Sequence, residues 1–187
     1  MYSIVMFVTG TNSDVPGLLA FQWLKSNSPG SVVGSSAARG VAPSLWWLVA
    51  LKLREAGHSV IGLDRRPWWD APRDIQVHEV DIRKRAAEDI FRRERPECVV
   101  HMATVSALTA TRDEERYRIN LGGTQAVFEL SRTWGVEQVV FVGRHTFYGA
   151  GPDTPLYHRE EEPPQALESY PELADLVASD LYAANAI

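Results

Sequence analysis

Val60-Ile61-Gly62-Leu63-Asp64 is the stretch on which the fold turns, a short β-branched apolar run that ends in a carboxylate. Outward from it come Asp81-Ile82, Val99-Val100-His101-Met102-Ala103, Asn120-Leu121-Gly122-Gly123-Thr124 and Val139-Val140-Phe141-Val142, in that order. The apolar runs are separated by segments long enough for a helix. Runs of this kind, apolar throughout rather than alternating, are strands buried on both faces by crossover helices. The series predicts an α/β fold with a doubly wound, mostly parallel, Rossmann-like sheet. In such a sheet ligands bind at the carboxyl ends of the strands. A carboxylate in the place of Asp64 can accept hydrogen bonds from the two hydroxyls of a nucleotide ribose.

The 187 residues suffice for one substantial core, so a single domain over 1–187 is expected, with an insertion or irregular segment at 11–39. Hydrophobic residues make up 45% and charged residues 23%, the composition of an ordinary globular domain. A net charge of −5 gives no support to nucleic-acid or anionic-membrane binding. Arg83, Arg85, Arg92, Arg93 and Arg95 cluster, but Glu88, Asp89, Glu94 and Glu97 are interleaved, which reads as a solvated helix face. Cys98 is the single cysteine, excluding an internal disulfide and a cysteine-based zinc site; it reads as a buried structural thiol. Met1-Tyr2-Ser3 lacks the basic start of a secretory signal and no apolar run is long enough to span a bilayer, so a cytoplasmic setting is expected.

Period and punctuation predict strands at 4–8, 58–64, 76–82, 98–103 and 138–142, and helices at 44–56, 85–93, 114–134 and 171–186. A short helix at 18–25 and an irregular, proline-bearing loop at 149–168 complete the reading. Gly57 and Gly135 are the expected helix stops.

Residues 58–149 resemble the extended short-chain dehydrogenase/reductase family, the NAD-dependent epimerases and dehydratases of nucleotide sugars. The likeness lies in the Asp-ended strand, the Asp81-Ile82 pair, the "VxHLAA"-like end at Val99 to Ala103, the "NVxGT"-like start at Asn120 to Thr124, and Tyr148-Gly149 in a "VSSxxVYG"-like strand end. It implies an NAD cofactor, with NADP disfavoured because Asp64 would repel a 2′-phosphate although Arg65 and Arg66 would attract one. It also implies a small-molecule substrate of the nucleotide-sugar type. Cofactor contacts then fall on Asp64, Arg65, Asp81, Ile82 and Ala103. Asp81 reads equally well as a cap for the helix that follows it, and His101 reads as structural.

The glycine-rich phosphate turn of the family, TGxxGxxG, has two partial counterparts. Thr9-Gly10 follows a good strand, with Ser13 and Pro16 in the later glycine places; counting back from His58 puts the first glycine on Gly40, with Pro43 and Trp46 in the others. The favoured reading takes residues 4–10 as the first strand and its turn, and Ala37 to Ala42, which resembles another short-chain-dehydrogenase turn, as a second piece of the loop. Trp46 and Trp47 stand where they would obstruct a pyrophosphate.

In this family a Tyr handles the substrate proton, a Lys four residues later favours its phenolate, and a Ser or Thr holds the substrate hydroxyl. An unperturbed Tyr, near a pKa of about 10, is a poor base at neutral pH, so the Lys is essential to that chemistry. Tyr182 is the preferred candidate, Tyr170 being followed by Pro171, and both have Ala where Lys is expected, at Ala186 and Ala174. The Ser/Thr place holds Arg144, and Thr146 is the nearest hydroxyl. The resemblance thus implies an enzyme impaired in catalysis or a silent dinucleotide-binding module. The expected strands also stop before the family's carboxyl-terminal substrate lobe, which predicts either association between subunits as a homo-oligomer or a chain that is only part of a larger gene product.

Overall fold

The computed structural model describes residues 4–9, 45–103, 105, 112–149, 155, 157–159 and 161–186. Its elements are β1 (Ile4–Thr9), α1 (Leu45–Glu55), β2 (Ser59–Asp64), β3 (Gln76–Glu79), α2 (Arg85–Glu94), β4 (Cys98–His101), α3 (Asp113–Trp134), β5 (Gln138–Phe141), α4 (Ala166–Ser169) and α5 (Ala174–Asn185). Short 3-10 turns run over His145–Tyr148 and Pro171–Leu173. The expected helix at 18–25, the whole of the 11–39 segment, Gly10 and Gly40 lie outside the described residues.

The five strands form one sheet in the order β3-β2-β1-β4-β5. Both faces are apolar, and the two-residue alternation of a strand deals its residues between them. Val5, Ile61, Leu63 and Val99 join Ala87, Ile90 and Phe91 of α2 and Val127 of α3 in one core. Met6, Val8, Val60 and Val100 join Trp46 and Ala50 of α1 and Trp68 in the other. This is the doubly covered α/β sheet that the strand composition predicts.

One strand departs from expectation. β2 pairs parallel to β3 and β4 parallel to β5, but β1 runs antiparallel to both neighbours, with Ile4 opposite Asp64 and Thr9 opposite Ser59. Thr9, and with it the start of the turn that Gly10 would make, is therefore at the amino-terminal edge of β2, about 17 Å along the strand from Asp64 at ordinary strand rise. Strand composition does not encode direction. A run apolar on both faces packs equally well either way up, and direction is imposed by the crossover that follows, which here falls in 10–44.

Helix ends follow their signals. Gly57 and Gly135 adopt φ of 90° and 72°, and the Gly135 amide donates to the Ser131 carbonyl to close α3. β3 ends earlier than expected, because Asp81 turns the chain by accepting the Arg83 amide on its own side chain, and β4 ends at His101, two residues short of the expected bound. Gly149 has a φ of 80°, and a Cβ there would lie 3.2 Å from the backbone of Ala166, so both conformation and space restrict the place to glycine. Cys98 is half-buried and burial pushes its thiol up to about 11, which keeps it an inert thiol.

Gly123, inside α3, is buried but not crowded: a Cβ there would meet Ile82 Cγ2 at an ordinary 3.8 Å. Close approach of helix to sheet does not require this glycine. Gly123→Ala should stabilise the fold by about 0.8–1 kcal/mol through helix propensity, whereas Gly123→Leu should cost about 1–3 kcal/mol by overpacking against Ile82. Urea denaturation of the two variants checks both signs.

Candidate cofactor and active site

Asp64 closes β2 at the carboxyl edge of the sheet and is 2% exposed. Its Oδ1 accepts the Arg66 amide at 3.0 Å, while its buried Oδ2 has no hydrogen-bond partner among the described residues. Burial raises this carboxyl from its usual 3.8 to about 6, although the amides and guanidinium charges of Arg65 and Arg66 pull the other way. An orphaned buried acceptor is costly to leave unmet, and two vicinal ribose hydroxyls are donors of the right kind to meet it.

Beside it, Arg65, Asp81, Ile82 and Ala103 line one cleft with Leu63 and Ile119. The structure thus brings together four of the residues assigned to cofactor contact. Asp81 is wholly engaged: Arg83 donates from Nε to Oδ1 at 2.9 Å and from Nη2 to Oδ2 at 2.5 Å, and its amide reaches Oδ1 at 3.0 Å. The Arg83 hydrogen bonds hold the Asp81 carboxyl down at about 2. Arg65 Nε stands 3.9 Å from Asp81 Oδ2. The place of Asp81 just ahead of the Lys84 cap of α2 makes it an Asx-turn residue, with no side-chain bond to the helix itself. At the amino end of α1, Trp46, Trp47 and Trp68 pack as one cluster, Trp47 stacked on Trp68 at 5.2 Å and Trp46 edge-on to Trp68 at 4.9 Å.

Behind the cleft, a buried polar stripe runs down α3. Arg116, Asn120 and Thr124 recur every four residues and so share one face. His101 Nε2 lies 3.0 Å from Thr124 Oγ1, which itself donates to the Asn120 carbonyl at 2.7 Å, so Nε2 carries the proton and Nδ1 accepts the Ala103 amide at 3.4 Å. Burial pushes His101 down to about 4, leaving it neutral and structural. The Asn120 amide ties both backbone groups of Val105, at 2.7 and 2.8 Å, and donates to Asp175 Oδ2. Asp175 Oδ1 faces Arg116 Nε at 3.6 Å, and Arg116 also reaches Asp113 and the Glu172 carbonyl. The strand exit, α3 and α5 are clamped together by one network. Asp175, Arg116 and Asp180 were missed from sequence, because the meeting of α3 with α5 that makes Asp175 and Arg116 partners is not written in the pattern of either helix.

The catalytic candidates are spread. Tyr182 sits well inside α5, its ring edge-on to Phe128 in the second half of α3 at 6.0 Å. Thr146 lies on the 3-10 turn after β5. Tyr170 precedes the turn that leads into α5, five positions before Asp175. Asp180, from α5, takes the Arg144 amide on Oδ2 at 3.4 Å, and burial lifts its carboxyl to about 6. Tyr148 stacks flat on His158 at 4.9 Å, a structural role.

Two raised carboxyls and one lowered one set an expected pH profile. Asp64 and Asp180 bind a proton more tightly folded than unfolded, so the cost of burying their charge is absent below about pH 4 and fully present above about pH 6. Asp81 acts oppositely, and its contribution fades as pH falls through about 2. His101, held well below its usual value by burial, acts the other way over the same range, because the unfolded imidazole takes up a proton that the folded one does not. The change in melting temperature from pH 7.5 to pH 5 should therefore be more positive in the unmodified chain than in Asp64→Asn, which removes one of the two carboxyl contributions. Calorimetry of both proteins checks the difference, and an equal change in the two would contradict it.

A family model described as NAD dependent epimerase/dehydratase family matches residues 48–174. The chain belongs to that family. Its sheet, with Asp64 at the carboxyl edge and the α3 stripe behind it, is the family's amino-terminal portion. The UDP-glucose 4-epimerase of Mus musculus is 30% identical over 57% of this chain and 36% of that protein, so the chain spans little more than a third of that relative's length. A Thermus thermophilus UDP-glucose 4-epimerase, solved in complex with NAD, is 25% identical with a TM-score of 0.63, covering 74% of this chain and 46% of that one. A Thermotoga maritima UDP-glucose 4-epimerase solved with UDP-glucose shares the fold at a TM-score of 0.65 and 24% identity, covering 75% and 47%. The match to the family ends at residue 174, so it takes in Tyr170 and Ala174 and leaves out Tyr182. Among the described residues, no helix is long and apolar enough to cross a membrane.

Proposed function

We propose that this chain binds NAD at the carboxyl edge of its sheet as a nucleotide-sugar epimerase/dehydratase-like protein that is impaired in catalysis. The observation that carries the reading is the unpartnered, buried Oδ2 of Asp64. Asp64 would hold the adenosine ribose, Ile82 and Ala103 would border the adenine and ribose, and Arg65 would flank them. NAD supplies hydride acceptance and return when bound. The chain's own residues would have to position a sugar hydroxyl and move its proton, and here the equipment is incomplete.

Tyr170 is the better proton-handling candidate. It lies within the family match and just before the turn that leads into α5, whereas the ring of Tyr182 is taken up in packing against Phe128. Four residues on stands Ala174 rather than a cation, and Arg144 occupies the hydroxyl-holding place with Thr146 two residues beyond it. A guanidinium can stabilise an anion but does not shuttle protons at working pH. Exposed Tyr117, Leu167 and Leu181, carried by α3, α4 and α5, support association between copies of the chain.

The reading is tested by titrating NADH and then assaying UDP-glucose conversion. Saturable NADH binding with negligible turnover is expected, and Ala174→Lys alone should not restore activity while Arg144 remains. Turnover by the unmodified chain, abolished by Tyr170→Phe, would overturn the impairment.

A further inference from the structure

β5 closes one side of the sheet, pairing parallel with β4 and, among the described residues, with no strand beyond it. The amides of Gln138 and Val142 donate to the Glu97 and His101 carbonyls, so the even-numbered peptide groups of this strand face β4. Alternation turns the amides and carbonyls of Val139, Phe141 and Gly143 outward, a row of donors and acceptors of the kind that another strand pairs with. Whereas β2 and β4 are buried along most of their length, every residue of β5 is half-buried.

The opposite edge of the sheet is guarded. On β3 the Val80 amide donates to the Asp64 carbonyl, which leaves Val77 and Glu79 facing outward; Glu79 is exposed, and Arg93 reaches His78 at 3.5 Å. Charges in such places discourage a further strand. β5, Gln138-Val139-Val140-Phe141, carries neither charge nor proline. Its charges stand at the two ends, Glu137 before the strand and Arg144 after it. A parallel copy would set like charges side by side, whereas an antiparallel copy brings the glutamate end of one strand to the arginine end of the other.

We propose that β5 is a docking edge for a second copy of this chain, whose own β5 adds antiparallel about a twofold axis at Phe141 and continues the sheet from one subunit into the other. The inference rests on the association between copies read above and gives it a different surface from the exposed side chains of α3, α4 and α5. With Phe141 opposite Phe141 of the partner subunit, Val139 comes opposite Gly143 of the partner subunit, and all three outward peptide groups of each strand are used. Val140 then meets Val142 of the partner subunit on one face, an apolar cross-strand pair that covers side chains now half-buried at the margin of the core. Gln138 falls opposite Arg144 of the partner subunit, so no like charges are opposed. The pairing is isologous and consumes the unguarded edge, and with β3 guarded it stops at two subunits.

The test is sedimentation velocity of the unmodified chain, Val139→Pro and Leu181→Glu over a wide range of concentration. Proline at an outward position leaves the ladder to β4 intact and removes one donor from each copy, so Val139→Pro should raise the dimer dissociation constant about tenfold or more. Leu181→Glu, on the exposed face of α5, should leave that constant unchanged. Amide exchange followed by NMR reads the same edge without a substitution and decides the matter if Val139→Pro does not fold. The Phe141 and Gly143 amides should exchange more slowly in concentrated than in dilute protein, and those of Val77 and Glu79 equally in both. A dimer that Leu181→Glu dissociates, with Phe141 exchange independent of concentration, would overturn the docking edge and leave association through the helices standing. A chain that is monomeric at every concentration would overturn both.

Discussion

Asp175→Ala should cost the fold about 3–5 kcal/mol, the range found when one member of a buried ion pair is removed. Asp175 is 1% exposed, and its carboxylate takes the Asn120 amide on one oxygen while the other faces the Arg116 guanidinium. Taking it away leaves a buried guanidinium with, among the described residues, Asp113 and the Glu172 carbonyl, and frees an amide hydrogen of Asn120 inside the core. The loss reaches beyond the pair, because Asn120 also fastens the backbone of Val105 after β4. Asp113→Ala offers the contrast. Its carboxylate is 82% exposed, so its removal should cost no more than about 1 kcal/mol. Guanidinium denaturation of both variants checks the pair, and an Asp175→Ala loss as small as that of Asp113→Ala would show that the network holds nothing together.

Asp64→Asn should move stability and binding in opposite directions. The variant keeps an acceptor for the Arg66 amide and removes a buried charge, so the unliganded protein should gain about 1–2 kcal/mol at pH 7.5, less than the full charge penalty because the new amide nitrogen is also left without a partner. The gain should shrink at pH 5, where Asp64 is already protonated in the folded state. NADH binding should meanwhile weaken by about 1.5–3 kcal/mol, the worth of hydrogen bonds to a charged group. A residue that costs the empty protein stability and repays it on binding is a site residue. Paired melting curves and NADH titrations read both effects; a variant less stable at pH 7.5 than the unmodified chain would make Asp64 a structural residue.

The part of this fold visible in the sequence is the part decided by local pattern. Runs such as Val60 to Asp64 and Val99 to His101 are apolar on both faces, and a period of that kind has few other homes than a doubly covered sheet. Gly57 and Gly135 mark helix ends because only a residue at ease with positive φ closes them well. Strand direction was invisible, since Val5, Met6 and Val8 would fill the same two cores whichever way β1 ran. So was the clamp, for Asp175 and Arg116 stand 59 positions apart in number and only the meeting of α3 with α5 makes them partners. Tyr182 and Tyr170 show a further limit. Both have alanine four residues on, and what separates them is their place in the structure: the ring of Tyr182 packs edge-on to Phe128 inside α5, and Tyr170 precedes the turn into that helix.

The most direct test of the account is NADH titrated calorimetrically into the unmodified chain at pH 7.5, alongside Asp64→Ala. The orphaned Oδ2 of Asp64 predicts saturable binding that the substitution weakens by about 1.5–3 kcal/mol, roughly ten- to a hundred-fold or slightly more. Binding of equal strength in both proteins, or no binding in either, would contradict it.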